Sequence, residues 1–182
     1  MRLHPTRFAA AVICTVAAVT ALGPTALGPT ALGPTALGTA AFAAQPAGRH
    51  VSEVVADWSA AWNGTEPAVL GALFTPDGTY TDQGIGVTFH GRQEIAGWKA
   101  RTDSLIDNVH VTVHATHRDG CHITVEGAYA GHIKGAPRPF AVPLATLLDT
   151  DGRRITADQD FYSLNAVLAQ SGLPADWTPP AH

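Results

Sequence analysis

One carboxylate stands out by type and by place. Asp82 closes the segment FTPDGTYTD, which lies between two helical stretches. Apolar surroundings disfavour the charged form of a carboxyl group and raise its pKa, so such a group can act as a base near neutral pH. The chemistry this points to is proton transfer. The same side chain could instead cap a turn at Gln83-Gly84, as aspartate commonly does at strand ends. Tyr80 has the strand parity of Asp82 and could orient a substrate or serve as ordinary core. Trp58 and Trp62 lie one helical turn apart and either fill the core or line a pocket. Tyr129 and Gln159 share parity with the apolar faces of their strands, and a polar group turned inward must find a partner or a ligand. Asp82 is therefore the candidate catalytic base. Trp58, Trp62, Tyr80, Tyr129 and Gln159 are the candidates for substrate binding.

Other reactive side chains carry less. His110, His114, His117 and His122 look at first like a metal site. On a strand rising about 3.3 Å per residue, positions four apart are about 13 Å apart, too far to share one ion. No metal site and no cofactor is expected. Asp158, Asp160 and Tyr162 alternate with Ile155, Ala157 and Phe161, and that alternation turns the acids outward, to solvent or a dimer face. His132, beside the GHIKG turn, is either a pocket-mouth residue or a solvated one.

Positioning these residues requires helices first and strands after. Val51, Val54, Val55, Trp58, Ala61 and Trp62 recur at helical spacing and end at Asn63-Gly64. Pro67 opens a short helix that runs to Phe74, and Pro76-Asp77-Gly78 is a turn. Thr79 to Asp82 is extended, and GRQEIAGW leads into a further helix through Leu105. The period then changes to two. Val109, Val111, Val113 and Ala115 form one strand face, and Ile123, Val125, Gly127 and Tyr129 form the next. A three-residue loop, Asp119 to Cys121, with a bulge aligns both apolar faces and sets His114 across from Glu126. Strands over Phe140 to Leu148 and Arg154 to Tyr162 follow, then a short helix, Leu164 to Leu168, capped by Ser163. This is an α+β plan: a curved antiparallel sheet wrapped around N-terminal helices.

With ALFTPDGTYTD, GRQEIAGW, the AWN at Ala61 to Asn63, GAYAGHIKGAPRPFAVPLATLL and DGRRITADQDFY, the chain resembles the nuclear transport factor 2-like superfamily. Within it the resemblance is to the SnoaL-like and ketosteroid isomerase-like branch, over about Val51 to Pro174. It implies a cone-shaped, cystatin-like roll with an apolar pocket along its axis and a homodimer joined through the outer sheet face. Laid on the ketosteroid isomerase pattern, Asp82 falls on the general base and Trp58 on the tyrosine that donates to the enolate. The second donor, a protonated acid, would lie at Leu144 or Ala145, where no acid stands. Steroid isomerisation is thus not implied. A SnoaL-like cyclase needs mainly an aspartate base, whereas the Asp-Arg-Asp network of limonene-type epoxide hydrolases has no counterpart among the arginines. The resemblance implies an isomerase, cyclase or lyase acting on a small apolar molecule, or a non-catalytic binding or dimerisation module of the same fold.

The chain has 182 residues and a formal charge of −4. Arg2 and Arg7, the apolar run Phe8 to Leu22 and Ala41-Phe42-Ala43 read as a secretory signal peptide over residues 1–43, expanded by an ALGPT repeat. Pro24, Pro29 and Pro34 would break a membrane-spanning helix there. Removing those residues leaves 139, with nine Lys and Arg against fifteen Asp and Glu, a charge of −6. No basic stripe remains, which argues against nucleic acid or a membrane as partner after cleavage. Cys121 would then be the only cysteine, a lone thiol. The expected layout is a linker over 44–50, the domain over 51–174 and a tail over 175–182, in a secreted or cell-envelope protein.

Overall fold

The computed structural model describes residues 51–179. The expected signal peptide, with the ALGPT repeat and the expected cleavage site, lies outside the described residues, as do the expected linker over 44–50 and the end of the tail. Helix α1 (Val51–Asn63) buries the stripe Val54, Val55, Trp58, Ala61 and Trp62. It ends at Asn63, whose side-chain amide donates to the carbonyl of Val111 at 3.0 Å and accepts from its N–H at 2.6 Å. That two-way bond ties the helix end to the sheet. Helix α2 (Pro67–Ala72) starts on Pro67, whose fixed φ and missing N–H suit a first turn. Strand β1 (Phe74–Asp82) runs through Pro76-Asp77-Gly78, which is an irregularity in an extended segment and not a separating turn. A short strand, β2 (Val87–His90), pairs antiparallel with it; the sequence reading did not include this strand. Helix α3 (Gly91–Leu105) begins where the carboxylate of Glu94 accepts from the N–H of His90.

Four strands follow: β3 (Ile106–Asp119), β4 (His122–Ile133), β5 (Phe140–Thr150) and β6 (Ile155–Phe161). Helix α4 (Leu164–Ser171) has the expected Ser163 cap, whose hydroxyl accepts from Ala166 N–H at 3.2 Å, and Gly172 closes it in the left-handed region. The six strands form one curved, unclosed sheet in the order β2-β1-β6-β5-β4-β3. All pairs are antiparallel except β1 with β6, so the α+β expectation holds with one parallel contact. The inner sheet face and the helices enclose a core centred on Trp58, Phe74, Tyr80, Ile95, Ile123, Leu148 and Ile155.

Three single-residue bulges, each adding one residue to one strand, aim the side chains. In β3 the first lies near Asn108, which adopts a φ of 55°. The second lies at His114, between the pairs Val113↔Gly127 and Ala115↔Glu126. The hairpin therefore closes more tightly than expected, with Asp119 paired to His122. Glu126 lies across from Ala115 instead of His114, and its carboxylate is 3.5 Å from His117. Cys121 is disulfide-bonded in the full chain; the lone thiol is an expectation for the chain without residues 1–43.

The third bulge matters most. Thr150 pairs with Ile155 and Asp149 with Ala157, so Thr156 is the extra residue of β6. Ile155 faces the core, and after the insertion the even positions do. Asp158 and Asp160 are buried, with 0% and 6% of their surface exposed, and Phe161 is turned out. The outward placement read from alternation is thus reversed for Asp158, Asp160 and Tyr162. Gln159 is reversed as well: it stands on the outer side, where its Oε1 accepts from Gln83 at 3.2 Å.

Candidate functional site

A cavity of about 130 Å³ opens between the inner sheet face, α1, α3 and α4. β1 contributes Tyr80 and Asp82, and β6 and the residue after it contribute Asp160 and Tyr162. Tyr129 and Leu144 come from β4 and β5, Trp62 from α1 and Trp98 from α3. Val167 and Leu168 of α4, with Trp177 and Pro179 of the tail, form the remaining wall. Aromatic rings run in a chain along one side. Trp62 lies 5.7 Å from Tyr80, Tyr80 lies 6.3 Å from Phe89, and Phe89 stacks on Trp98 at 4.8 Å. Tyr129 meets Tyr162 edge-on at 5.4 Å.

Asp82 caps its own turn and also lines the cavity. Its Oδ1 accepts from the backbone N–H of Ile85 at 3.1 Å, capping the turn. Its Oδ2 accepts from the Tyr162 hydroxyl at 3.0 Å, and the residue lines the cavity at 3% exposure. Burial pushes its pKa up, against the Tyr162 bond and the backbone N–H groups of Ile85 and Gly84, which pull it down. Gly84 leaves room for this arrangement: a Cβ there would stand 2.5 Å from the Tyr162 ring.

Asp160 is the second cavity carboxylate. Tyr80 donates to its Oδ2 at 2.7 Å and Thr146 donates to its Oδ1 at 2.5 Å. Burial raises its pKa to about 6, opposed by these two bonds. Asp158 lies deeper, outside the cavity wall. Trp58 Nε1–H donates to its Oδ2 at 2.8 Å, and its Oδ1 has no hydrogen-bond partner among the described residues. Burial first, and the charge of Asp160 second, push its pKa well above the ordinary carboxylate range. The neighbouring phenols are held in the protonated, donating form. Burial, then the nearby carboxylates, raises Tyr80, and Tyr162 is raised by burial and Asp82.

Of the sequence candidates, Asp82, Trp62, Tyr80 and Tyr129 meet around the cavity. Trp58 is behind the wall, bound to Asp158, and Gln159 is on the other face of the sheet. Asp160, Tyr162 and Trp98 are the additions. The first two were hidden by the Thr156 bulge, and no local pattern marks a one-residue insertion. His132, held by the carbonyl of Ala136, is not in the wall. Lys99 is buried behind Trp62, 5.9 Å from its ring, and is bonded to Gly64 O and Asp103. Among the described residues, no Lys, Arg or His stands in the cavity wall.

The family model described as a SnoaL-like domain matches residues 55–157, more than half of the chain. The chain belongs to the SnoaL-like domain family. Its SnoaL-like fold is similar to that of a protein with a ketosteroid isomerase-like fold from Catenulispora acidiphila, solved in complex with trimethylamine. That protein is 64% identical, with a TM-score of 0.69 over 70% of this chain and 98% of the other. A protein assigned as a SnoaL-like polyketide cyclase from a Jannaschia species shares 17% identity and a TM-score of 0.62, over 71% and 96% of the two chains. An epoxide hydrolase of the limonene type from Mycobacterium tuberculosis shares 19% identity and a TM-score of 0.56, over 65% and 86%. The last two show likeness of fold alone. No curated protein matches the sequence.

Proposed function

We propose that this SnoaL-like domain binds a small organic ammonium ion in the cavity. The observation that carries this reading is the composition of the wall: two carboxylates, Asp82 and Asp160, among aromatic and aliphatic side chains, with no basic group among the described residues that line it. Aromatic faces attract cations, and the attraction grows when water is excluded. Two acids without a protein counter-ion leave a negative site that a cation would neutralise. The trimethylamine held by the Catenulispora relative agrees with that chemistry. Calorimetry with trimethylammonium and with the neutral, similarly shaped tert-butanol tests it. Trimethylammonium should bind and tert-butanol should not, and Asp82→Asn or Asp160→Asn should each weaken binding by about tenfold, or about 1.4 kcal/mol. Equal binding of the two compounds, or affinity indifferent to both substitutions, would overturn the reading. Binding should also weaken as pH falls through about 6, where Asp160 takes up its proton.

A second reading, proton abstraction in an isomerase, cyclase or lyase with Asp82 as base, is favoured by one observation. The carboxylate combines a raised pKa with a place in the cavity wall. Against it, the hydroxyls of Tyr162, Tyr80 and Thr146 are already spent on carboxylates and would not stabilise an enolate. Deuterium exchange into enolisable ketones, compared between the wild type and Asp82→Asn, distinguishes the two readings. Equal rates exclude Asp82 as the base.

We further propose export to the medium or cell envelope, from the leader, and a homodimer through the outer sheet face. On that face Leu147 and Phe161 are 41% and 42% exposed, on the neighbouring strands β5 and β6. Leu147→Lys with Phe161→Lys should convert a dimer to a monomer in sedimentation; an unchanged mass rejects this interface.

A further inference from the structure

The buried side chains form two clusters, and the cavity is lined by both. One is the core already described, which reaches the cavity through Trp62, Tyr80, Val111 and Leu144. The other is built on Ile133, Phe140, Val142, Val167 and Leu168. Tyr129 and Tyr162, which meet edge-on, pack against both clusters and mark the boundary between them. The two sides differ in chemistry. Asp160 is bonded to Tyr80 and Thr146 and so belongs to the first side, and Asp82 is bonded to Tyr162 at the boundary. Beyond the boundary the wall consists of Ile106, Ile133, Leu164, Val167, Leu168 and Trp177. Among the described residues, that lobe contains no carboxylate and no basic group. An apolar lobe offers a hydrated cation nothing, whereas it takes up hydrocarbon favourably from water.

We infer that the ligand of this cavity is an amphiphilic cation: an ammonium head at Asp82 and Asp160 that bears a hydrocarbon substituent lying in the apolar lobe between the start of β3, the end of β4, α4 and the tail. The inference rests on the ammonium reading and narrows it, from small symmetric ammonium ions to amines with one extended apolar arm. A second charge at the far end of that arm does not fit, because it would be taken out of water with no partner in the lobe.

The test uses the full chain and a series of n-alkyltrimethylammonium salts, from methyl to hexyl, at concentrations far below micelle formation. Calorimetry at pH 7.5 should show one site whose affinity rises about fourfold with each added methylene, the value for moving that group out of water, until the lobe is filled. Leu164, half-buried at the start of α4, lines the lobe. In Leu164→Trp the larger ring should occupy that space, and the ratio of hexyl to methyl affinity should fall about tenfold or more. An independent readout in the unsubstituted protein is the nuclear Overhauser effect from the hexyl salt. Its terminal methyl should reach the methyl groups of Val167 and Leu168, and its N-methyl groups should reach the rings of Tyr80 and Trp62. An affinity that stays level along the series, or a terminal methyl without contact to Val167 and Leu168, overturns the inference and leaves ammonium binding standing. Equal binding of the neutral 2-methyl-2-octanol and the hexyl salt, or no binding by any salt, overturns the ammonium reading, and this inference with it.

Discussion

At the scale of single residues, the site is a set of carboxyl groups held in different states by their immediate bonds. Asp82 is steadied by Tyr162, and that bond lowers a pKa that burial raises. Tyr162→Phe should remove a hydrogen bond to a charged group, a contribution of about 1.5–3 kcal/mol to the ionised form. Ammonium binding measured against pH should then shift its midpoint upward, while binding at high pH is retained. Asp158 differs: burial pushes its pKa well above the ordinary carboxylate range, and it accepts from Trp58. Asp158→Asn keeps an acceptor for the indole and should leave stability nearly unchanged at neutral pH. Asp158→Leu strands the Trp58 N–H and should cost about 1–3 kcal/mol by urea denaturation. Similar stabilities for the two variants would show that the Trp58–Asp158 bond contributes little.

At the scale of elements, helices and strands were legible because period and punctuation agreed. The α1 stripe, Pro67, the change from period 3.6 to period 2 after Leu105 and the Ser163 cap all correspond to observed elements. Asp82, Tyr80, Trp62 and Tyr129 were legible for the same reason: their faces follow from unbroken alternation or helical spacing. Asp160 and Tyr162 were not, because one extra residue inverts every face downstream of it. The bulge at Thr156 obeys no composition rule, and its pairing is set by β5 across the turn. Deleting Thr156 tests this directly. The deletion should turn Asp158 and Asp160 outward, abolish ammonium binding and move the thermal midpoint down by several degrees, readable by calorimetry. A ΔThr156 protein that binds as the parent does would show that the bulge does not set the acid face.

At the scale of the whole molecule, the domain spends stability to keep acids indoors. An acid whose folded pKa lies above its unfolded value contributes stability that is complete below the unfolded pKa and is lost as pH rises through the folded one. For Asp160 that window runs from the ordinary 3.8 to about 6. A shift of that size corresponds to on the order of 3 kcal/mol. Asp82 and Asp158 act in the same direction. The thermal midpoint without ligand should therefore be higher at pH 5 than at pH 8, and a bound ammonium ion should narrow the gap by stabilising the ionised form. A midpoint that rises with pH would contradict the carboxyl assignments. The strand order adds a consequence in time. β6, which carries Asp158 and Asp160, is the last strand made, yet it lies between β1 and β5 in the middle of the sheet. Until it inserts, both acids are hydrated and charged, so the main electrostatic barrier falls at the end of assembly. Refolding followed by tryptophan fluorescence should be faster in mild acid than in mild base, with protonation easing the closure of the sheet.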